Sequence, residues 1–133
     1  MRYLVTARVK PGKEAELLRA IEDGNLGAGS VAGTEYLRNM EKARIYDDGR
    51  IRWVEVCFCD PPLAEERPHW ESFFELTRVQ DALNRKCCRD VSGEEPWACS
   101  DCDHTEKLEQ KLAGEGQGFL DTLQAHVQAM RVT

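Results

Sequence analysis

Nowhere in the chain does an apolar run reach the roughly eighteen residues that a membrane-crossing helix needs. The sequence therefore gives no reason to expect a membrane partner. Basic residues never occur in runs longer than two, and the formal charge is −6 with a pI near 5.1. Phosphate contacts need Lys and Arg clustered on one face, so nucleic acid is not an expected partner either. There is no Ser-His-Asp signature and no Gly-Lys-Ser or Gly-Lys-Thr phosphate element. The opening residues carry charge at Arg2, Arg8 and Lys10, where a secretion signal would have an apolar core; a soluble, cytoplasmic protein is the expectation.

Cysteine, by contrast, is plentiful. Of six cysteines in 133 residues, four fall between positions 87 and 102: Cys87-Cys88 and Cys99-Ser100-Asp101-Cys102, with His104 just beyond. In a reducing compartment such residues act as ligands, reactive thiols or small buried hydrophobes rather than as disulfides. Zinc takes four thiolate or imidazole ligands, and a Cys-x-x-Cys knuckle turns two sulfurs onto one ion without straining the backbone. The expected shell is Cys87, Cys99 and Cys102 with either Cys88 or His104. An iron-sulfur cluster is the inorganic competitor, although the tight ferredoxin runs of cysteine are missing. Asp101, Asp103, Glu94 and Glu95 surround the knuckle and would oppose a bare thiolate, which favours a cation over a redox dithiol.

The 15.1 kDa mass is that of one domain, and area scaling buries roughly 68% of the unfolded surface of such a chain. The metal would therefore organise a loop rather than hold the whole fold. Tyr3 to Val9 alternate as a strand, ended by Lys10-Pro11-Gly12. Ala15, Leu17, Leu18 and Ile21 give Lys13 to Glu22 a helical apolar face. Gly27 to Gly33 superficially matches a dinucleotide loop, but it follows a helix where that fingerprint requires a strand, so it reads as a connection. A short helix is expected over Thr34 to Met40. Two strands, Ala43 to Tyr46 and Ile51 to Cys59, are joined through Asp47-Asp48-Gly49-Arg50.

The second of these strands has two partly apolar faces: Val54, Val56 and Phe58 on one, and Ile51, Trp53, Glu55, Cys57 and Cys59 on the other. Pro68 suits the first turn of a helix running to about Arg85, with Phe73, Leu76, Val79 and Leu83 inside and with Trp70 and Phe74 widening the stripe. A strand over Lys86 to Val91, a helix over Glu106 to Ala113 and a last helix over Phe119 to Met130 complete the reading. Trp70, Phe73 and Phe74 are expected in the core, His69 and His126 have no evident partner, and Glu55 reads as a solvated or interface carboxylate.

This order is that of an α+β plait: a ferredoxin-like antiparallel sheet with helices on one face, spanning residues 1–91, followed by a Cys-rich metal-binding loop and C-terminal helices over 92–133. The opening Tyr3-Leu4-Val5-Thr6-Ala7-Arg8-Val9-Lys10-Pro11-Gly12-Lys13-Glu14-Ala15 resembles the first strand and helix of the dimeric α+β barrel superfamily. That resemblance implies sheets paired face to face in a homodimer, and a scaffold shared by oxygenases, dye- or haem-degrading enzymes and ligand-binding modules. The leading expectation is a structural zinc site serving dimerisation or binding of a protein partner. The alternative is an enzyme using a metal or reactive thiol near Cys57, Cys59 and Glu55, and a third is metal trafficking or sensing.

Overall fold

The computed structural model describes residues 2–57, 59–82 and 104–132. Five strands, β1 (Arg2–Val9), β2 (Arg44–Ile45), β3 (Ile51–Val56), β4 (Phe74–Asp81) and β5 (Gln117–Gly118), form one antiparallel sheet in the order β4-β1-β3-β2-β5. Five helices accompany it among the described residues: α1 (Glu14–Glu22), α2 (Glu35–Lys42), α3 (Arg67–Glu71), α4 (His104–Leu112) and α5 (Phe119–Val132). The architecture is α+β, and no helix among the described residues is long and apolar enough to cross a membrane.

Side-chain alternation decides which sheet face becomes the core. Tyr3, Val5 and Ala7 stand opposite Glu55, Trp53 and Ile51 across the β1–β3 ladder, and all six are buried. Leu17 and Leu18 of α1 and Phe119, Leu123 and Val127 of α5 join them in one cluster; the spacing of the α5 residues, four apart, puts them on a single helical stripe. An aromatic column runs through the centre. Ring centroids are 4.9 Å apart for Tyr36–Trp70, 4.6 Å for Trp53–Trp70, 5.3 Å for Trp53–Phe74 and 6.1 Å for Phe74–Phe119, all tilted as ring quadrupoles prefer. Tyr36 packs over Gly27, whose backbone has φ of +72°; a Cβ there would lie 2.1 Å from the Tyr36 ring. The glycine is required on both counts.

The helix expected from Pro68 to Arg85 is corrected. Pro68 does sit at the start of a helix, but α3 ends at Glu71 and the chain becomes β4, paired with β1. The ladder skips Thr77: Leu76 stands opposite Ala7, Arg78 opposite Thr6 and Val79 opposite Val5. A bulge inserts one residue into the strand's period of two, so Leu76 and Val79, three apart, share the core face. The bulged strand thus carries the spacing of a helix. Exposed Glu75, Thr77 and Arg78 keep this edge strand polar.

The described helices within residues 1–91, α1, α2 and α3, all send side chains into this core, whereas α4 of the C-terminal part takes the other face of the sheet. Leu108 and Leu112 of α4 approach Leu4 and Val54 on the opposite side of the sheet, and Arg2 donates from Nε to Thr105 Oγ1 at 2.5 Å. The final helix, α5, lies with α1 and α2 instead. Arg38 of α2 pairs with the buried Glu109 of α4, linking the two layers. The strand expected over Lys86 to Val91 lies outside the described residues. β5, unanticipated from sequence, adds two residues to the β2 edge within the Gly114 to Gly118 interruption.

Candidate metal centre

Residue parity carries the core face of β3 past its last paired residue. Ile51, Trp53 and Glu55 point inward, and Cys57 continues the series at 2% exposure. The chain then turns through Asp60-Pro61-Pro62 so that α3 returns against the same end of the sheet. Leu63, fully buried, holds φ of +62°, a conformation that costs a residue with a Cβ roughly 1–2 kcal/mol. Burial of its side chain offsets that cost and fixes the loop. Turn hydrogen bonds from Ala64 N to Pro61 O at 3.1 Å and from Arg67 N to Leu63 O at 2.8 Å lead into α3.

This loop delivers Glu66 to the two sulfurs. Glu66 is 5% exposed, and its Oε2 accepts from Cys57 Sγ at 3.3 Å and from Cys59 Sγ at 3.6 Å. The two sulfurs and a Glu66 oxygen all lie within 4.8 Å of one another. Bond lengths of about 2.3 Å to sulfur and 2.0–2.2 Å to oxygen give a tetrahedral S···O edge of about 3.6 Å around zinc, so the group is already close to the shape of a coordination shell. Cys57 Sγ also accepts from the backbone N–H of Cys59 at 3.2 Å and from that of Leu63. Such donors favour a sulfur that carries negative charge.

Without a cation the electrostatics run the other way. Burial pushes the Cys57 thiol up to about 12, and hydrogen bonding with Cys59 and Glu66 adds to the rise against the two backbone donors. A thiol held this firmly is a poor nucleophile. Glu55, 3% exposed, lies on the same strand face; its Oε1 accepts from the indole nitrogens of Trp53 at 2.8 Å and Trp70 at 2.9 Å. Burial raises its carboxyl to about 7, the indole donors oppose the rise, and the charges of Glu66 and Glu35 reinforce it. Two buried acids and two thiols thus share one region, and no ion pair to Lys or Arg engages Glu55 or Glu66 among the described residues.

The neighbouring acid is tied down differently. Glu65 Oε2 accepts from Ser30 Oγ at 2.7 Å and its Oε1 from Val31 N at 3.1 Å, fastening the glycine-rich connection to the site loop. Ser30 Oγ also lies 2.8 Å from the Tyr36 hydroxyl, which burial holds protonated well above the usual tyrosine range. The Gly27 to Gly33 segment is a connection between α1 and α2, packed on Tyr36 at Gly27 and fastened to Glu65 at Ser30 and Val31.

Cys87, Cys88, Cys99 and Cys102, the expected ligands, lie outside the described residues, as does the side chain of His104, the first residue of α4. The group that does converge combines Cys57 and Cys59 with Glu66, a residue the sequence reading passed over. Nothing in Ala64-Glu65-Glu66-Arg67 distinguishes one acid from the other; only the turn at the prolines selects Glu66. Glu55, expected as a solvated or interface carboxylate, is instead buried within the chain between two indoles. His69 is half-buried, 3.9 Å from Glu65 and 5.7 Å ring to ring from Tyr36. Trp70 and Phe74 are core residues, and Phe73 packs against the core in partial exposure. No family model, curated protein or solved structure matches this chain.

Proposed function

We propose that the protein is a metal-binding protein in which Cys57, Cys59 and Glu66 hold a zinc-class divalent cation. The carrying observation is the Cys57–Cys59–Glu66 triangle, in which Cys57 and Glu66 are buried and Cys59 is part-exposed, and whose S···O distances of 3.3 and 3.6 Å are close to the edge of a tetrahedral shell. Two thiolates and an imidazole or carboxylate suit zinc by ligand softness, and copper(I) prefers sulfur alone. The cation removes the conflict at the site, since it deprotonates Cys57 and offsets the charge of Glu66. Three protein ligands leave a fourth position for water, a further side chain of this chain or a group from a partner.

The scaffold reading that goes with this is ferredoxin-like. Its support is the strand order β4-β1-β3-β2 with helices between β1 and β2 and between β3 and β4, to which β5 adds an edge. A structural role, with the ion pinning the Cys57–Glu66 loop to the end of the sheet, fits the burial of the ligands better than turnover does. α4 occupies part of the sheet face through which the superfamily would dimerise, so the loop rather than that face is the better candidate for contact with a partner. Free thiols of this kind persist in a reducing cytoplasm.

The test is elemental analysis of protein purified without added metal, followed by cobalt(II) loading. One equivalent per chain is expected, with thiolate-to-cobalt charge-transfer absorption that disappears in Cys57→Ser/Cys59→Ser. Glu66→Gln should weaken binding while leaving part of that absorption. A spectrum unchanged in the double serine variant would move the metal elsewhere and end the assignment.

A further inference from the structure

A second feature lies at the other end of the sheet and is independent of the metal. Where β1 and the β2–β3 hairpin meet α1 and α5, a half-open cleft of about 320 Å³ lies, with part-exposed Val9 and Ile45 on its surface and the buried Ile51, Phe119 and Leu123 beneath them. That volume lies at the small end of ligand pockets. At a water's share of about 30 Å³ per non-hydrogen atom, it takes on the order of ten such atoms. Its polar lining is Arg8, Glu14, Thr122 and His126, with Gly49 completing the rim. Thr122 Oγ1 is already used, donating to Gly118 O at 2.9 Å.

The exposed Arg8 sets the chemistry. Its Nη1 donates to Asp48 O at 2.6 Å, which anchors the guanidinium against the hairpin, where a Cβ on Gly49 would come within 2.9 Å of it. A guanidinium has five N–H donors, and no ion pair engages this one among the described residues. The first turn of α1 starts beside it at Glu14, with no side chain capping its free backbone N–H groups; such an end favours negative charge. His126 is a further potential donor, and Glu14 the one opposing acid in the lining.

We propose that this cleft binds a small carboxylic acid, its hydrocarbon body against Val9 and Ile45 and its carboxylate on the Arg8 guanidinium. The anchored guanidinium, without an ion pair among the described residues, selects an anionic head over a neutral or cationic one. Glu14 limits affinity by facing the same head. Neither contact involves the Cys57–Cys59–Glu66 centre.

Octanoate, with ten non-hydrogen atoms, is the probe; octan-1-ol and octylamine are its neutral and cationic counterparts. Calorimetry on the full chain should show octanoate binding once per chain, about tenfold or more tighter than either counterpart, the margin for hydrogen bonds to a charged group. Arg8→Gln should weaken octanoate binding about tenfold and so erase the preference, and Glu14→Gln should strengthen octanoate binding. NMR contacts from octanoate protons to the methyl groups of Val9 and Ile45 locate it without a variant that might unfold. Equal affinity for the three probes, an Arg8→Gln protein that still prefers octanoate, or contacts to other methyl groups overturns the proposal. Cys57→Ser/Cys59→Ser should bind octanoate normally; loss there would refute the independence of the two sites while leaving metal binding to its own assay.

Discussion

Replacing Glu55 by glutamine should flatten part of the protein's stability profile between weakly acidic and neutral pH. In the folded chain burial lifts this carboxyl from 4.5 to about 7, whereas the unfolded chain solvates it freely. Below about pH 4.5 both states hold the proton, and the group's contribution is fully present. As pH rises, the unfolded state releases the proton first, so the folded state is progressively disfavoured until the folded group also ionises near 7. The displacement corresponds to a loss of about 3 kcal/mol across that window, level above it. Glutamine keeps a carbonyl oxygen for the indole N–H groups of Trp53 and Trp70 but does not titrate. Urea unfolding of both proteins, with chelator present so that metal binding does not contribute, gives the difference in stability from about pH 4 to about pH 8. Other titrating groups, including Glu109, whose carboxyl burial raises, are common to both and largely cancel. The variant should gain about 3 kcal/mol relative to the parent over this range. A difference that stays flat within about 1 kcal/mol would refute the buried, proton-holding Glu55.

Metal affinity should rise with pH, because the Cys57 thiol, held up to about 12, must lose its proton to coordinate; each proton displaced makes binding tighter about tenfold per pH step, and competition with a chromogenic chelator at several pH values measures it. A pH-independent affinity would remove Cys57 from the shell. Gly27→Ala should destabilise by more than about 1 kcal/mol, since the added Cβ meets the Tyr36 ring and the backbone is left-handed; thermal or urea melts show it, and a neutral result would contradict that packing. Arg38→Ala strands the carboxylate of Glu109 and should cost about 2 kcal/mol, below the 3–5 kcal/mol of a fully buried pair because Arg38 is part-exposed. Adding Glu109→Gln should recover much of the loss, and a double variant as unstable as the sum of the singles would speak against their coupling.

Most elements could be read from local periodicity because the residues that form them also carry the period of the face they bury. Tyr3, Val5 and Ala7 alternate and line the sheet's core face; Leu17 and Leu18, and Phe119, Leu123 and Val127, recur at helical spacing and turn one stripe inward. β4 escaped for a stated reason. Its bulge at Thr77 sets Leu76 and Val79 three residues apart on one face, and that spacing belongs equally to a helix, so only pairing with β1, some seventy residues earlier in the chain, distinguishes the two. At the site, the shared strand face of Glu55, Cys57 and Cys59 followed from alternation, but the burial of Glu55 between two indoles did not. Trp70 reaches Glu55 from α3, and no local pattern encodes that approach.

Composition and period by themselves determined an acidic α+β chain without a membrane-length apolar run, the facing of its central strand, and a wealth of thiols suited to soft cations. Tertiary structure alone decided that Glu66 rather than Glu65 closes on Cys57 and Cys59, that α4 crosses to the far face of the sheet, and that Arg8, with no ion pair among the described residues, stands at the rim of a cleft with Val9 and Ile45. Periodicity records which side of an element avoids water. Convergence of side chains from separate elements depends on where loops such as that from Asp60 to Glu66 turn the chain, and that direction is fixed by packing over long sequence distances.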